Sequence, residues 1–273
     1  RCEAGTVRRR QRKGTGGADV TVPRLVHRSL RDDLHRLADV IGGLADAVEA
    51  SAVPPASSVA ADSRRTAGSA AERPTGARAQ SRRAPSVPLV SRRRAVAVRD
   101  YVALLCEEMD RHHECAERIL WPLLSESAGA AIDIRPYMES RDVLTPIVAG
   151  LRAAADQFVD DPESGAALLA ALLRVVRERI DEHVDHLDQD VLPLITRYVS
   201  AEDYAAASRR MRATIAPHRV PWVLPWAARL ATPEERRQLM REAGVSRRAL
   251  LAMSGRAYAR LERRVFGPAI RHS

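Results

Sequence analysis

Four stretches of the chain place apolar residues at alternating steps of three and four, a spacing that restricts the fold to packed amphipathic helices. The first seam is His27, Leu30, Leu34, Leu37, Ile41, Leu44 and Val48. The second runs Val98, Val102, Leu105, Met109, His112, Ala116, Ile119 and Leu123. The third is Leu144, Val148, Leu151, Ala155 and Phe158, and the fourth Leu172, Val176, Ile180, His183, Leu187, Val191 and Leu194. These seams predict helices over about 23–49, 95–124, 135–159 and 165–199. Aromatic residues are only 4% of the chain, so alanine, leucine and valine must fill the core, which favours helices over a β-sandwich. The predicted fold class is all-α: an antiparallel up-down-up-down four-helix bundle over residues 22–200. A helical C-terminal extension over 201–273 is expected to pack on it.

The bundle is interrupted. Residues 51–94 scatter Pro54, Pro55, Pro74, Gly76, Pro85 and Pro88 among alanines and arginines without periodicity, which predicts a disordered insertion. Residues 1–21 form a basic N-terminal segment with the same expectation. The net charge of +9 sits largely in such stretches: residues 1–24 carry +5 and residues 51–94 carry +7. The remainder is close to neutral. Lys13 is the only lysine, so the arginine excess reflects a chain-wide compositional bias and gives no sign of a specific nucleic-acid reader. The three widely spaced cysteines, Cys2, Cys106 and Cys115, form no disulfide framework and point to a reducing, cytoplasmic setting. No apolar run approaches the roughly 18–20 residues of a transmembrane helix, and no apolar core of a secretory signal is present.

The chemistry is concentrated in a repeated segment. His112-His113-Glu-Cys-Ala-Glu117-Arg-Ile-Leu-Trp121-Pro122-Leu123 recurs in outline 71 residues later as His183-Val-Asp-His186-Leu-Asp188-Gln-Asp-Val-Leu192-Pro193-Leu194. Each copy has an acid at +5 from a histidine, proline at +10 and leucine at +11. Histidine and carboxylate are the donors that helix-bundle cores offer to transition metals. His27 is early in the first helix, His112 late in the second, Asp142 early in the third and His183 late in the fourth. With direction reversing at each loop, and about 1.5 Å of rise per residue, the four are expected in one layer near one end of the bundle. A lone seam histidine is ordinarily a hydrogen-bonded core residue. Three in one layer with acids beside two of them point to a metal.

These residues resemble the hemerythrin-like, HHE cation-binding family, in particular bacterial members whose second helix carries paired histidines followed by Leu-Trp-Pro. The resemblance covers about 22–200 without the insertion, and the tail after 200 is similar to an extension found in some of those proteins. It implies one or two non-haem irons held by His27, His112 or His113, Glu117, Asp142, His183 and Asp188. It also implies binding or sensing of O2, NO or peroxide, with no defined turnover reaction. Two positions depart from the family. Ala116 stands where its bridging glutamate falls, leaving Glu117 as substitute. The third helix reads Met138-Glu139-Ser140-Arg141-Asp142 and has no histidine, so Arg141 would place a cation where metal belongs if it turned inward. Donor type alone leaves iron, manganese and zinc open.

The alternative is a metal-free, degenerate scaffold or interaction protein of the same fold. Asp185 or Glu139 is expected to orient a ligating imidazole, with His35 and His186 facing solvent or backing a ligand rather than ligating. Cys115 reads as an incidental helix cysteine. Arginines of the last helix, whose face is Leu250, Met253, Ala257, Leu261 and Val265, read as a solvated face. Thr232-Pro233-Glu234-Glu235 marks a helix start and Gly244 a stop.

Overall fold

The computed structural model describes residues 17–52 and 90–267, without the side chains of residue 52 and of 242–253. The predicted disorder of 1–16 and 53–89 lies outside the described residues. Nearly everything described is helix, and the only β pairing among those residues is an isolated bridge between Gly17 and Ser200. Residues 17–20, inside the stretch read as an N-terminal tail, are therefore tied to the bundle, with Ala18 and Val20 buried.

Helix α1 spans Thr21–Ala52. Helix α2 (Arg92–Cys115) continues through a π turn at Ala116–Leu120 into α3 (Trp121–Ala128). Helix α4 is Arg135–Asp160. Helix α5 (Pro162–His186) continues through a second π turn at Leu187–Val191 into α6 (Leu192–Tyr198). The extension consists of α7 (Ala201–Ala213), α8 (Val220–Ala228) and α9 (Pro233–Phe266). Helix α9 runs through Gly244 without stopping. An interior glycine costs only about 1 kcal/mol against alanine, too little to break a helix that is well capped. That cap is a full capping box between Thr232 and Glu235, and α9 ends at Gly267, whose φ of +80° suits glycine.

Packing departs from a simple four-helix arrangement. Helix α1 lies against α5, α5 against α4, and α4 against α2, while α9 fits between α2 and α1. The extension is thus a structural member of the bundle. Its anchor is a carboxylate absent from the predicted core: Asp33, fully buried on α1. Its Oδ2 accepts from Tyr101 Oη at 2.7 Å and Trp226 Nε1 at 2.6 Å. Its Oδ1 accepts from Arg229 at 2.7 Å and Arg36 at 3.1 Å.

The two π turns occupy the same place in both copies of the repeat. Each ends one residue before the pair at +9 and +10 that contains the proline, with the Trp121 N–H donating to the Ala116 carbonyl and the Leu192 N–H to that of Leu187. A proline inside a helix removes one donor and its ring crowds the carbonyl four residues back; widening the preceding turn by one residue relieves that clash. The extra residue shifts the downstream phase. The α-periodic seams anticipated Leu123 and Leu194 as core, whereas the buried residues are Leu124 and Ile195, one position later in each copy.

The α4–α5 connection is a single residue, Asp161, whose side chain caps α5 through the N–H groups of Glu163 and Ser164. Gly165 then approaches the α4 backbone so closely that a Cβ would sit 2.9 Å from Phe158 Cα. Elsewhere in a helix, Gly→Ala stabilises by up to about 1 kcal/mol. Here Gly165→Ala is expected to destabilise by about 1–3 kcal/mol, because backbone must move. Thermal unfolding checks the sign, and a raised melting temperature would contradict the close approach.

Candidate functional site

Apolar packing divides into a long cluster through α1, α2, α4, α5 and the extension, and a smaller one built on Trp121, Leu124, Leu187, Val191 and Ile195. The histidines occupy the boundary between the two. His27 from α1, His112 and His113 from α2, and His183 from α5 form a continuous run of edge-to-face rings. Centroids are 5.2 Å apart for His27–His112, 6.1 Å for His112–His113 and 5.3 Å for His113–His183. The three histidines of the expected layer, His27, His112 and His183, are thus neighbours, and His113 stands between His112 and His183.

Each imidazole is oriented by a specific partner or by burial. His27 is buried, and its Nδ1 lies 2.7 Å from Asp188 Oδ1. With that bond made, the opposite nitrogen, His27 Nε2, is buried with no hydrogen-bond partner. An orphaned buried nitrogen costs about 1–3 kcal/mol unless something binds it. His183 Nδ1 meets Ser140 Oγ at 3.0 Å. Asp188 and Ser140 thus play the orienting part expected of Asp185 or Glu139. Asp185 is taken up by an ion pair with Arg31, and Glu139 is exposed.

Burial keeps three of the four rings uncharged. The His183 pKa is pushed down to about 3, by burial first and then by His113 and His27. His113 falls to about 4 through burial and the neighbouring Arg141. His112 lies well below the usual histidine value, again chiefly through burial, followed by repulsion from the other imidazoles. At neutral pH these rings therefore carry free lone pairs, the state required of a metal ligand.

The acids of the two copies have different fates. Asp188 joins the cluster through His27. Glu117 is drawn instead to Arg141 of α4, Oε2 to Nη1 2.8 Å. Asp142 is exposed and does not share the layer. Ser140 and Leu144 set the inward face of α4, and Asp142 lies two residues from Ser140, roughly 200° round the helix. Arg141 is the α4 residue at the edge of the cluster, lining the same cavity as His113 and His183. Among the described residues, no group of three His, Cys, Asp or Glu side chains is already drawn together tightly enough to hold a metal ion.

Beside the histidines is a cavity of about 170 Å³. Its apolar wall includes Trp121, Ile195, Met211, Val223, Leu224 and Ala227, so α7 and α8 of the extension close the site. Glu108, nearly inaccessible, is neutralised by Arg111, which also reaches Cys115 Sγ at 3.6 Å and Thr214 Oγ1 at 3.5 Å. Cys115 is buried against that pair. The Glu108–Arg111 pair and Ser140 were missed from sequence. Glu108 and Arg111 stand at i and i+3 immediately before His112, a spacing that marks a local ion pair. Ser140 carried no comparable signal.

The donor chemistry fits a cation: one orphaned buried nitrogen, imidazoles held neutral, and a carboxylate bound to one of them. No helix among the described residues is long and apolar enough to cross a membrane. No curated protein and no solved structure matches the chain. A family of cation-binding domains does: residues 75–195 match the family model of the hemerythrin HHE cation binding domain.

Proposed function

We propose that the chain binds a non-haem metal, iron in the first instance, at His27, His112, His113 and His183 with Asp188, and so binds or senses a small ligand such as O2, NO or peroxide. The observation that carries this reading is His27: its Nδ1 is committed to Asp188 while Nε2 is buried and unpartnered, and the residue lines the cavity. A carboxylate on one ring nitrogen fixes the tautomer that leaves the other nitrogen free to ligate, and it raises that nitrogen's basicity. Ser140 Oγ, 3.0 Å from His183 Nδ1, holds that ring in its orientation. The bound metal would supply an open coordination position for the small ligand. The chain's own residues hold the rings, keep His112, His113 and His183 deprotonated, and surround the site with the apolar walls of α7 and α8.

Metal analysis of protein expressed with added iron tests this. Near-stoichiometric transition metal is expected, and its loss in the double variant His112→Ala with His183→Ala. Traces alone in the native protein would sink the proposal, and unchanged occupancy in the double variant would show that the ligands lie elsewhere.

A second reading, a metal-free scaffold of the same fold, draws on one observation: Arg141 lies beside His113 and pairs with Glu117. It predicts that a chelator leaves the denaturation midpoint unchanged, because no bound metal contributes to the folded state.

A further inference from the structure

We infer that Arg141 is a tethered competitor cation that withholds Glu117 from the metal, and thereby sets the donor set and the metal preference of the site. The inference rests on the metal reading above.

The two copies of the repeat present their acids at the same position, second in a π turn. Symmetry of sequence would give both acids the same task. Their partners differ. Asp188 contacts the imidazole of His27 through one oxygen, which leaves its second oxygen available. Glu117 contacts a guanidinium, Nη1 to Oε2 2.8 Å. That cation is permanent, because arginine does not deprotonate in the working range of a protein. It is also fixed in place, carried by α4 across the groove from α2.

Arg141 and Glu117 both line the inner cavity with the histidines. Both also line the outer pocket beside them, together with His113 and Asp110. The ion pair thus stands at the mouth of the cluster, where Glu117 would otherwise face the metal. Another cation lining that pocket, Arg118, is engaged by Glu114 at 2.5 Å, and Asp110 is engaged by Arg152 at 2.5 Å. Each acid on this face has its own arginine, so no spare carboxylate replaces Glu117.

Removing one carboxylate from a mixed histidine–carboxylate set leaves it rich in nitrogen. Imidazole donors suit iron, cobalt, nickel, copper and zinc, whereas oxygen donors suit manganese and magnesium. Arg141 therefore acts as a specificity determinant, biasing the site against manganese without touching the metal.

The test uses the full chain, stripped of metal, titrated separately with Co2+ and Mn2+. Four proteins are compared: the native chain, Arg141→Ala, Glu117→Gln and the double variant. Arg141→Ala is expected to tighten Mn2+ binding roughly tenfold, the lower end of what changes around metal ligands do, and Co2+ binding by less. Glu117→Gln alone leaves both affinities unchanged, and the double variant returns to native values. Both side chains are partly exposed, so the fold is retained, which circular dichroism verifies. The inference is overturned if Arg141→Ala fails to tighten Mn2+, if the gain survives in the double variant, or if Glu117→Gln alone weakens binding. If neither the native chain nor any variant binds Co2+, the metal reading itself fails. If only Arg141→Ala binds, the competitor role stands and the native chain is not a metal protein.

Discussion

Replacing Asp33 by alanine is expected to cost about 3–5 kcal/mol of stability, the cost of removing one partner from a buried charged pair. Four donors converge on this fully buried carboxylate: Tyr101 of α2, Trp226 of α8, Arg36 of α1, and Arg229 just after α8. Alanine would leave Tyr101 Oη, itself 3.2 Å from Tyr258 Oη of α9, and Trp226 Nε1 buried with one fewer acceptor each. It would also leave Arg229 held only by Asp32 at 2.5 Å and more distantly by Glu262. Urea denaturation followed by circular dichroism should show a lower midpoint with an unchanged slope. A loss below about 1 kcal/mol, the net worth of one ordinary hydrogen bond, would mean that the carboxylate does not anchor α8 and α9. Limited proteolysis gives an independent readout: cleavage within the extension should appear in Asp33→Ala before the bundle itself is cut.

Acidification is expected to destabilise the metal-free protein steeply between about pH 6.5 and about pH 3. The sign follows from linkage. His183 and His113 have folded pKa values of about 3 and about 4, below the ordinary histidine value. The unfolded chain therefore binds protons first as pH falls. Their contribution is complete above the unfolded pKa of about 6.5 and is lost progressively down to the folded values. A tenfold difference in proton affinity between the folded and unfolded chain corresponds to about 1.4 kcal/mol, so the two rings together account for several kcal/mol. His112, also lowered, adds in the same direction. Asp33 works in the opposite sense, since burial raises its carboxyl above the usual range against the pull of Arg229. Comparing the native chain with His113→Gln plus His183→Gln, both with chelator, isolates the histidine share. The double variant should show a distinctly flatter stability profile over this interval. Equal slopes would show that the cluster is open to water and free to protonate.

Legibility differed by element. The seams of α1, α4 and α5 appear in the structure nearly residue for residue, because an isolated helical period needs only the local sequence to define its face. Beyond Ile119 and Val191 the seams slip by one position, since the α period does not register a π turn. The prolines at 122 and 193 were visible, but their effect on phase depends on how the preceding turn relieves the clash. Asp33 lies beside the α1 seam, three residues after Leu30, and the apolar pattern passed over it. What it faced came in large part from residues nearly 200 positions away.

The same contrast runs through the site. Histidines at the ends of amphipathic helices and a rise set by helix geometry together bring His27, His112, His113 and His183 close to one another; both are local properties, readable along the chain. The partners of the two repeated acids are not. Whether an acid at the edge of the layer meets an imidazole or a guanidinium depends on how α4 is rotated against α2, and that rotation is set by packing. Ser140 and Leu144 turn inward, Asp142 is carried outward, and Arg141 is left at the rim within reach of Glu117. Two similar motifs acquire different chemistry because side-chain pairing across helices is a long-range outcome of packing, and no local spacing encodes it.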